Sequence, residues 1–81
     1  MNGSITQIIE EINKTDPKFK HLIALNQKQT ADIIGVSSST LEAWRKEAIG
    51  PEYKKVNTGK GRILYPKVAI AKWLTQTVKT A

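Results

Sequence analysis

The chain contains no cysteine and a single histidine. That excludes a disulfide framework, a thiolate nucleophile and the Cys/His ligand sets of structural zinc sites. His21 stands alone and is expected to be an exposed or hydrogen-bonded side chain rather than a ligand or a base. No apolar run approaches the roughly 20 residues that cross a bilayer. The N-terminus has neither a basic n-region nor a cleavable apolar core, so a cytoplasmic, nucleoid-associated protein without membrane contact is expected. Aromatic residues are few: two Trp, two Tyr and one Phe. Most fall at packing positions, which does not suit the exposed stacking platform of a single-strand binder. Paired carboxylates, a metal set and a base–nucleophile couple are missing, so no enzyme, catalytic residue, metal or cofactor is expected. The serines at 37–39 have no histidine or lysine spaced to activate them. Thr58-Gly59-Lys60-Gly61 lacks the spacing of a phosphate-binding P-loop.

Acidic residues are missing from the whole of the chain after Glu52. The net charge of the 81 residues is +6, and its distribution says more than its size. Lys14, Lys18 and Lys20 offset Glu10, Glu11 and Asp16 in residues 1–25, so the excess lies in residues 26–81. There Lys54, Lys55, Lys60, Arg62, Lys67, Lys72 and Lys79 form a field of one sign, which attracts a polyanion. The length allows one small domain.

The stretch Asn26–Glu47 predicts two short helices joined at Gly35-Val36-Ser37. Asn26 with Gln29 forms a capping box for the first, over about residues 27–34. Gly35 can take the positive φ that ends it. Ala31 is small where the helices cross, and Ile34, Leu41 and Trp44 supply a shared core. Leu41 and Trp44, three apart, lie on one face of the second helix. The other face shows Ser38, Ser39, Glu42 and Lys46, with Arg45 on the flank. Ser37 is the expected N-cap, with Ser39 and Glu42 as a rival capping box. Thr30 and Gln27 sit at the start of the first helix, where free N–H groups suit a phosphate oxygen. An apolar back with a short polar, partly basic front is what a DNA major groove accepts, so the pair reads as a helix-turn-helix.

The flanks extend this pattern. Ser4 with Gln7 and the stripe Ile5, Ile8, Ile9 and Ile12 predict an amphipathic helix over 4–14. Asp16-Pro17 begins a further turn that adds Phe19, Leu22 and Ile23 to an apolar patch. This neutral third is expected to pack on its own domain, with a dimer contact as the alternative. Gly50-Pro51 ends the helical region. Tyr53–Val56 and Arg62–Tyr65 surround an Asn/Gly-rich turn and predict a hairpin whose tip carries Lys60 and Arg62. Beside a recognition helix, such a basic hairpin is a wing that meets the DNA backbone or minor groove. Pro66 starts a last helix over 66–77, with Val68, Ile70, Ala71, Trp73 and Leu74 buried and Lys67, Lys72 and Lys79 in water.

The order of these parts carries a resemblance. Leu25 is followed by Thr30-Ala31-Asp32-Ile33-Ile34-Gly35-Val36, then Ser37, Thr40, Leu41 and Trp44, and then Gly50-Pro51 and Tyr53. A basic hairpin ends in Leu64-Tyr65, and a helix closes in Lys72-Trp73-Leu74. Over Leu25–Leu74 the chain resembles the small winged helix-turn-helix proteins of the excisionase and AlpA-like group, related to MerR-type DNA-binding domains. The resemblance implies a bacterial, phage or mobile-element protein that directs recombination or regulates transcription. By position it implies that Ser38, Ser39, Glu42, Ala43 and Lys46 face the groove and that Lys60 and Arg62 serve the wing. The last helix departs from the pattern by having no acidic residue near its start, and the N-terminal 24 residues lie outside it.

The expected protein is therefore mainly α with a small β-hairpin, a winged helix-turn-helix over 25–77 preceded by a helical extension over 1–24. Its expected activity is sequence-specific binding of double-stranded DNA through Thr30, Ser38, Ser39, Glu42, Ala43, Arg45, Lys46, Lys60 and Arg62. Glu42 either restrains Arg45 or Lys46 or accepts from a cytosine amine. One module of this size covers little DNA, so a homodimer or cooperative multimer is expected, with an integrase or RNA polymerase as further partner. The alternatives are a small terminase-like packaging subunit and a protein-binding adaptor whose basic surface serves solubility.

Overall fold

A computed structural model of the chain describes residues 2–56 and 61–76. Within them the fold is mainly helical with a small antiparallel sheet. Helix α1 spans Asn2–Thr15, so Ser4 lies inside it rather than capping it. The Thr15 hydroxyl donates to the Ile12 carbonyl at 2.6 Å. Asp16 then caps a 3-10 helix over Pro17–His21, its carboxylate accepting from the Lys18 N–H at 2.9 Å. Strand β1 (Ala24–Asn26) leads into α2 (Gln27–Ile34), which opens on the expected capping box: Asn26 accepts from the Gln29 N–H, and Gln29 accepts from the Asn26 N–H. Gly35, with φ of 95°, ends α2 in the left-handed conformation that glycine adopts without a Cβ clash.

Ser37 caps α3 (Ser38–Lys46), its hydroxyl accepting from the Thr40 N–H at 3.1 Å. The rival cap at Ser39 is not used. Helix α3 closes in a Schellman motif, with the Ile49 N–H on the Trp44 carbonyl at 2.9 Å and the Ala48 N–H on the Arg45 carbonyl at 3.2 Å. That motif puts Ala48 at φ 62°. Gly50, at φ 92°, lets the chain turn against Trp44, where a Cβ would come within 3.4 Å of the indole. Strands β2 (Lys54–Val56) and β3 (Arg62–Pro66) form the expected hairpin. Pro66 completes β3 instead of opening the last helix, and α4 spans Lys67–Gln76.

The sheet has three strands in the order β1-β3-β2, since β1 also pairs antiparallel with β3. Only a two-stranded hairpin was expected, because three residues around Leu25 give no period to read. The pairing sets Leu25 opposite Tyr65, and opposed residues share a face. Both point into a core that also holds Ile12, Phe19, Ala31, Leu41 and Ile70. Trp44, Ile34, Val36, Ile8, Ile33 and Leu74 pack against that core from the side. Helix α1 is thus a wall of the same core, lying on α4 and the 3-10 helix.

Two expectations about apolar surface are corrected. Leu22 and Ile23 do not join a buried patch: they are 38% and 84% exposed, because the 3-10 helix ends at His21 and only Phe19 turns inward. Val68 is 51% exposed, whereas Lys67, expected in water, is 8% exposed. The Lys67 ammonium donates to the Asn13 side-chain oxygen at 2.6 Å and to the Phe19 carbonyl at 2.7 Å. Its backbone N–H donates to the Ile23 carbonyl at 2.9 Å. One residue at the start of α4 therefore ties down α1, the 3-10 helix and the segment that follows it.

Lys67→Met keeps the aliphatic stem but removes the ammonium that donates to the Asn13 side-chain oxygen and the Phe19 carbonyl, leaving the carbonyl with the Leu22 N–H alone. It should lower stability by about 1–3 kcal/mol, read as a shifted urea midpoint with an unchanged slope. Ala48→Gly should raise stability by about 0.5–1 kcal/mol in the same assay, since glycine takes the left-handed conformation without strain.

Candidate nucleic-acid interface

Helix α3 presents two unlike sides. Leu41 is 1% exposed, and the ring of Trp44 lies 5.4 Å from that of Trp73 on α4. With the apolar side held there, Ser38, Ser39, Ala43 and Lys46 are exposed on the other. The N-terminal third lies against α4, and the ridge stays open. Glu42 is half-buried, and its carboxylate meets the Lys46 ammonium at 3.3 Å across one helical turn. Of the roles considered for Glu42, the one seen here is restraint of Lys46. An exposed pair of this kind contributes on the order of 0.5 kcal/mol or less, so a phosphate can compete for the lysine.

Thr30 is not part of this surface. It was expected near a phosphate, yet its side chain is fully buried, with no hydrogen-bond partner for its hydroxyl among the described residues. The capping box places residue 30 on the inner side of α2, beside buried Ala31, and proximity to the helix start does not expose it. Gln27 does reach outward: its amide donates to the Ser38 carbonyl at 3.3 Å and joins the starts of α2 and α3.

Arg45 is only partly available. It is half-buried, and its Nε is buried without a partner among the described residues. Its guanidinium lies over the Tyr53 ring at 5.7 Å from the centroid, and that ring is 6.1 Å from the ring of Tyr65. The Tyr65 hydroxyl is likewise buried without a partner. Burial pushes its ionisation above the ordinary tyrosine value, because the phenolate would lose its hydration, while the positive charge of Arg45 acts in the opposite direction. Sequence reasoning did not foresee Tyr53 as the platform for Arg45. The signal was a tyrosine just before a strand and after two helix breakers, a pattern that does not say which helix it will meet.

The hairpin carries the remaining cations. Lys54, Lys55 and Arg62 are exposed. Val56 pairs with Arg62 and Lys54 with Leu64, so Lys54 and Arg62 share the outer face of the sheet. Arg62 lies about 10 Å along β3 from Tyr65, at roughly 3.3 Å per residue, so it stands out toward the tip from the strand that Arg45 approaches. Lys60, expected beside it at the tip, lies outside the described residues. Among the described residues no group of His, Asp or Glu side chains gathers as a metal ion would need, and no helix is long and apolar enough to cross a membrane.

A family model described as a helix-turn-helix domain matches residues 24–78. The match begins at β1 and includes α2, α3, the hairpin and α4. Comparison with curated proteins and with solved structures returns no match.

Tyr65 gives the fold an alkaline sensitivity with a definite sign. Its neutral form is favoured in the folded chain, so its contribution is complete below the ordinary value of 10.0 and is lost as pH rises through the higher folded value. Stability measured between roughly pH 9 and 12 should fall, and Tyr65→Phe should lessen that fall.

Proposed function

The chain belongs to the helix-turn-helix domain family, and from that premise we propose that this DNA-binding protein reads a specific double-stranded sequence with α3 while its hairpin acts as a wing. The observation that carries the reading is the exposed ridge of Ser38, Ser39, Ala43 and Lys46, backed by buried Leu41 and flanked by a cationic hairpin. In the major groove, serine hydroxyls can contact base edges or phosphates, Ala43 can meet a thymine methyl group, and Lys46 can leave Glu42 for a guanine edge or a phosphate. Glu42, released, can accept from a cytosine amine. Arg62 and Lys60 serve the sugar-phosphate backbone.

The role we propose is that of a phage or mobile-element protein of the excisionase and AlpA-like type, either promoting recombination with an integrase or regulating transcription at a promoter. A single module of this kind buries on the order of 600–1,000 Å², which is modest for tight specificity. The protein is therefore proposed to act as a homodimer or a cooperative multimer on repeated sites.

Selection of bound duplexes from a random pool tests the reading directly and reports the symmetry of the site. Arg62→Ala should weaken binding to all sequences about equally and flatten the dependence of log affinity on log salt by about one unit. Ser39→Ala and Lys46→Ala should change which duplexes are selected. The division of labour between ridge and wing fails if both sets of variants behave alike.

A further inference from the structure

Arg45 sits where a groove-reading arginine would be expected, but its surroundings assign it a different task. A guanidinium that reads a guanine needs its planar fork free in water. Here the Nε is buried, which removes one donor of the fork, and one face of the guanidinium lies over the Tyr53 ring at 5.7 Å from its centroid. Neither ion pair among the described residues includes Arg45, since Glu42 pairs with Lys46 and Glu11 with Lys14. The partners of Arg45 lie instead on the wing: Tyr53 directly precedes β2, and Tyr65, against which Tyr53 packs at 6.1 Å, belongs to β3. Between α3 and β2 the backbone runs through Glu47–Tyr53 with no helix or strand of its own. The pairing of β3 with β1 seats the base of the hairpin on the domain, and the Arg45–Tyr53 contact ties the start of β2 to α3.

We infer that Arg45 is a positioning residue, holding the hairpin at a set angle to α3 through the face of Tyr53, and that it does not itself contact DNA. The inference rests on the DNA-binding reading above. It makes the recognition helix and the wing one rigid unit, so the wing cations arrive at the backbone only when α3 has the matching register in the groove.

The test compares Arg45→Lys, Tyr53→Leu, Tyr53→Phe and the Arg45→Lys/Tyr53→Leu double variant on the duplex selected for the unaltered chain, after circular dichroism has shown each to be folded. A phosphate contact survives Arg45→Lys because the charge remains, whereas a planar stack does not. Loss of the stack should weaken binding roughly three- to tenfold. Tyr53→Leu should show the same loss, the double variant no more than either single one, and Tyr53→Phe almost none. Unchanged binding by Arg45→Lys, or losses that multiply in the double variant, would overturn the positioning role while leaving the DNA-binding reading intact. No binding of any duplex by the unaltered chain would overturn that reading, and this role with it.

A second measurement needs no DNA. In the Tyr53→Phe background Tyr65 is the remaining tyrosine, so its phenolate absorbance can be followed alone. Adding Arg45→Met should move that titration to higher pH, since the cation that favours the phenolate is gone. An unmoved titration would mean that Arg45 does not lie against the strands in solution, and the inference would fall.

Discussion

A helix of nine residues is too short to hold itself together in water, so α3 exists because Leu41 is buried and Trp44 packs, partly buried, against the core. Everything proposed for the molecule depends on that burial. It sets the rotation of α3 about its axis, and the rotation decides that Ser38, Ser39, Ala43 and Lys46 face outward. The partners of this apolar side are spread along the chain. Leu41 shares the core with Leu25 and Tyr65 from the sheet and Ile70 from α4, while Trp44 rests on Trp73. Because those partners are distant in sequence, α3 is oriented by the whole domain and not by the turn that precedes it.

Lys67 supplies a second constraint. Its ammonium is removed from water and held by one amide oxygen and one carbonyl, with no carboxylate partner among its hydrogen bonds. Taking such a group out of water is costly unless its donors are satisfied. The arrangement is favoured only when Asn13 and Phe19 are both in place, so α1 and the 3-10 helix must dock together. Helix α1 covers the rear of the core with Ile12 and leaves the front of α3 open. The neutral N-terminal third and the basic remainder are thereby segregated in space as they are in sequence, and the positive field is not diluted on the ridge side.

The hairpin is joined to α3 by means that differ from core packing. Tyr53 is 42% exposed and Arg45 half-buried, so their contact lies at the edge of the core, where a cation over a ring is only partly desolvated. Contacts of this strength fix an orientation without making it immovable. Strand β3 has the opposite character: paired on both sides and buried at Tyr65, it is the firm base on which the wing stands.

Features that depend on neighbouring residues were legible in the amino-acid order: the Asn26–Gln29 capping box, the left-handed Gly35, the Ser37 cap, the α2–α3 pair and the pairing of β2 with β3. The caps and Gly35 arise from hydrogen bonds or backbone angles within about one helical turn, and nothing more distant is needed to produce them. Leu41 was legible as core for a related reason, since spacing alone assigns a face to a helix. Tertiary structure decided the rest. Thr30 and Lys67 are buried, Ile23 and Val68 are exposed, and β1 joins the sheet, because the surroundings that decide each are far away in the chain, while Arg45 lies on Tyr53 across an irregular link whose path no local pattern sets. A polar side chain goes inside when the packed elements happen to bring acceptors to its tip, as Asn13 and Phe19 do for Lys67. That meeting of distant residues is a property of the assembled core, and no local pattern records it.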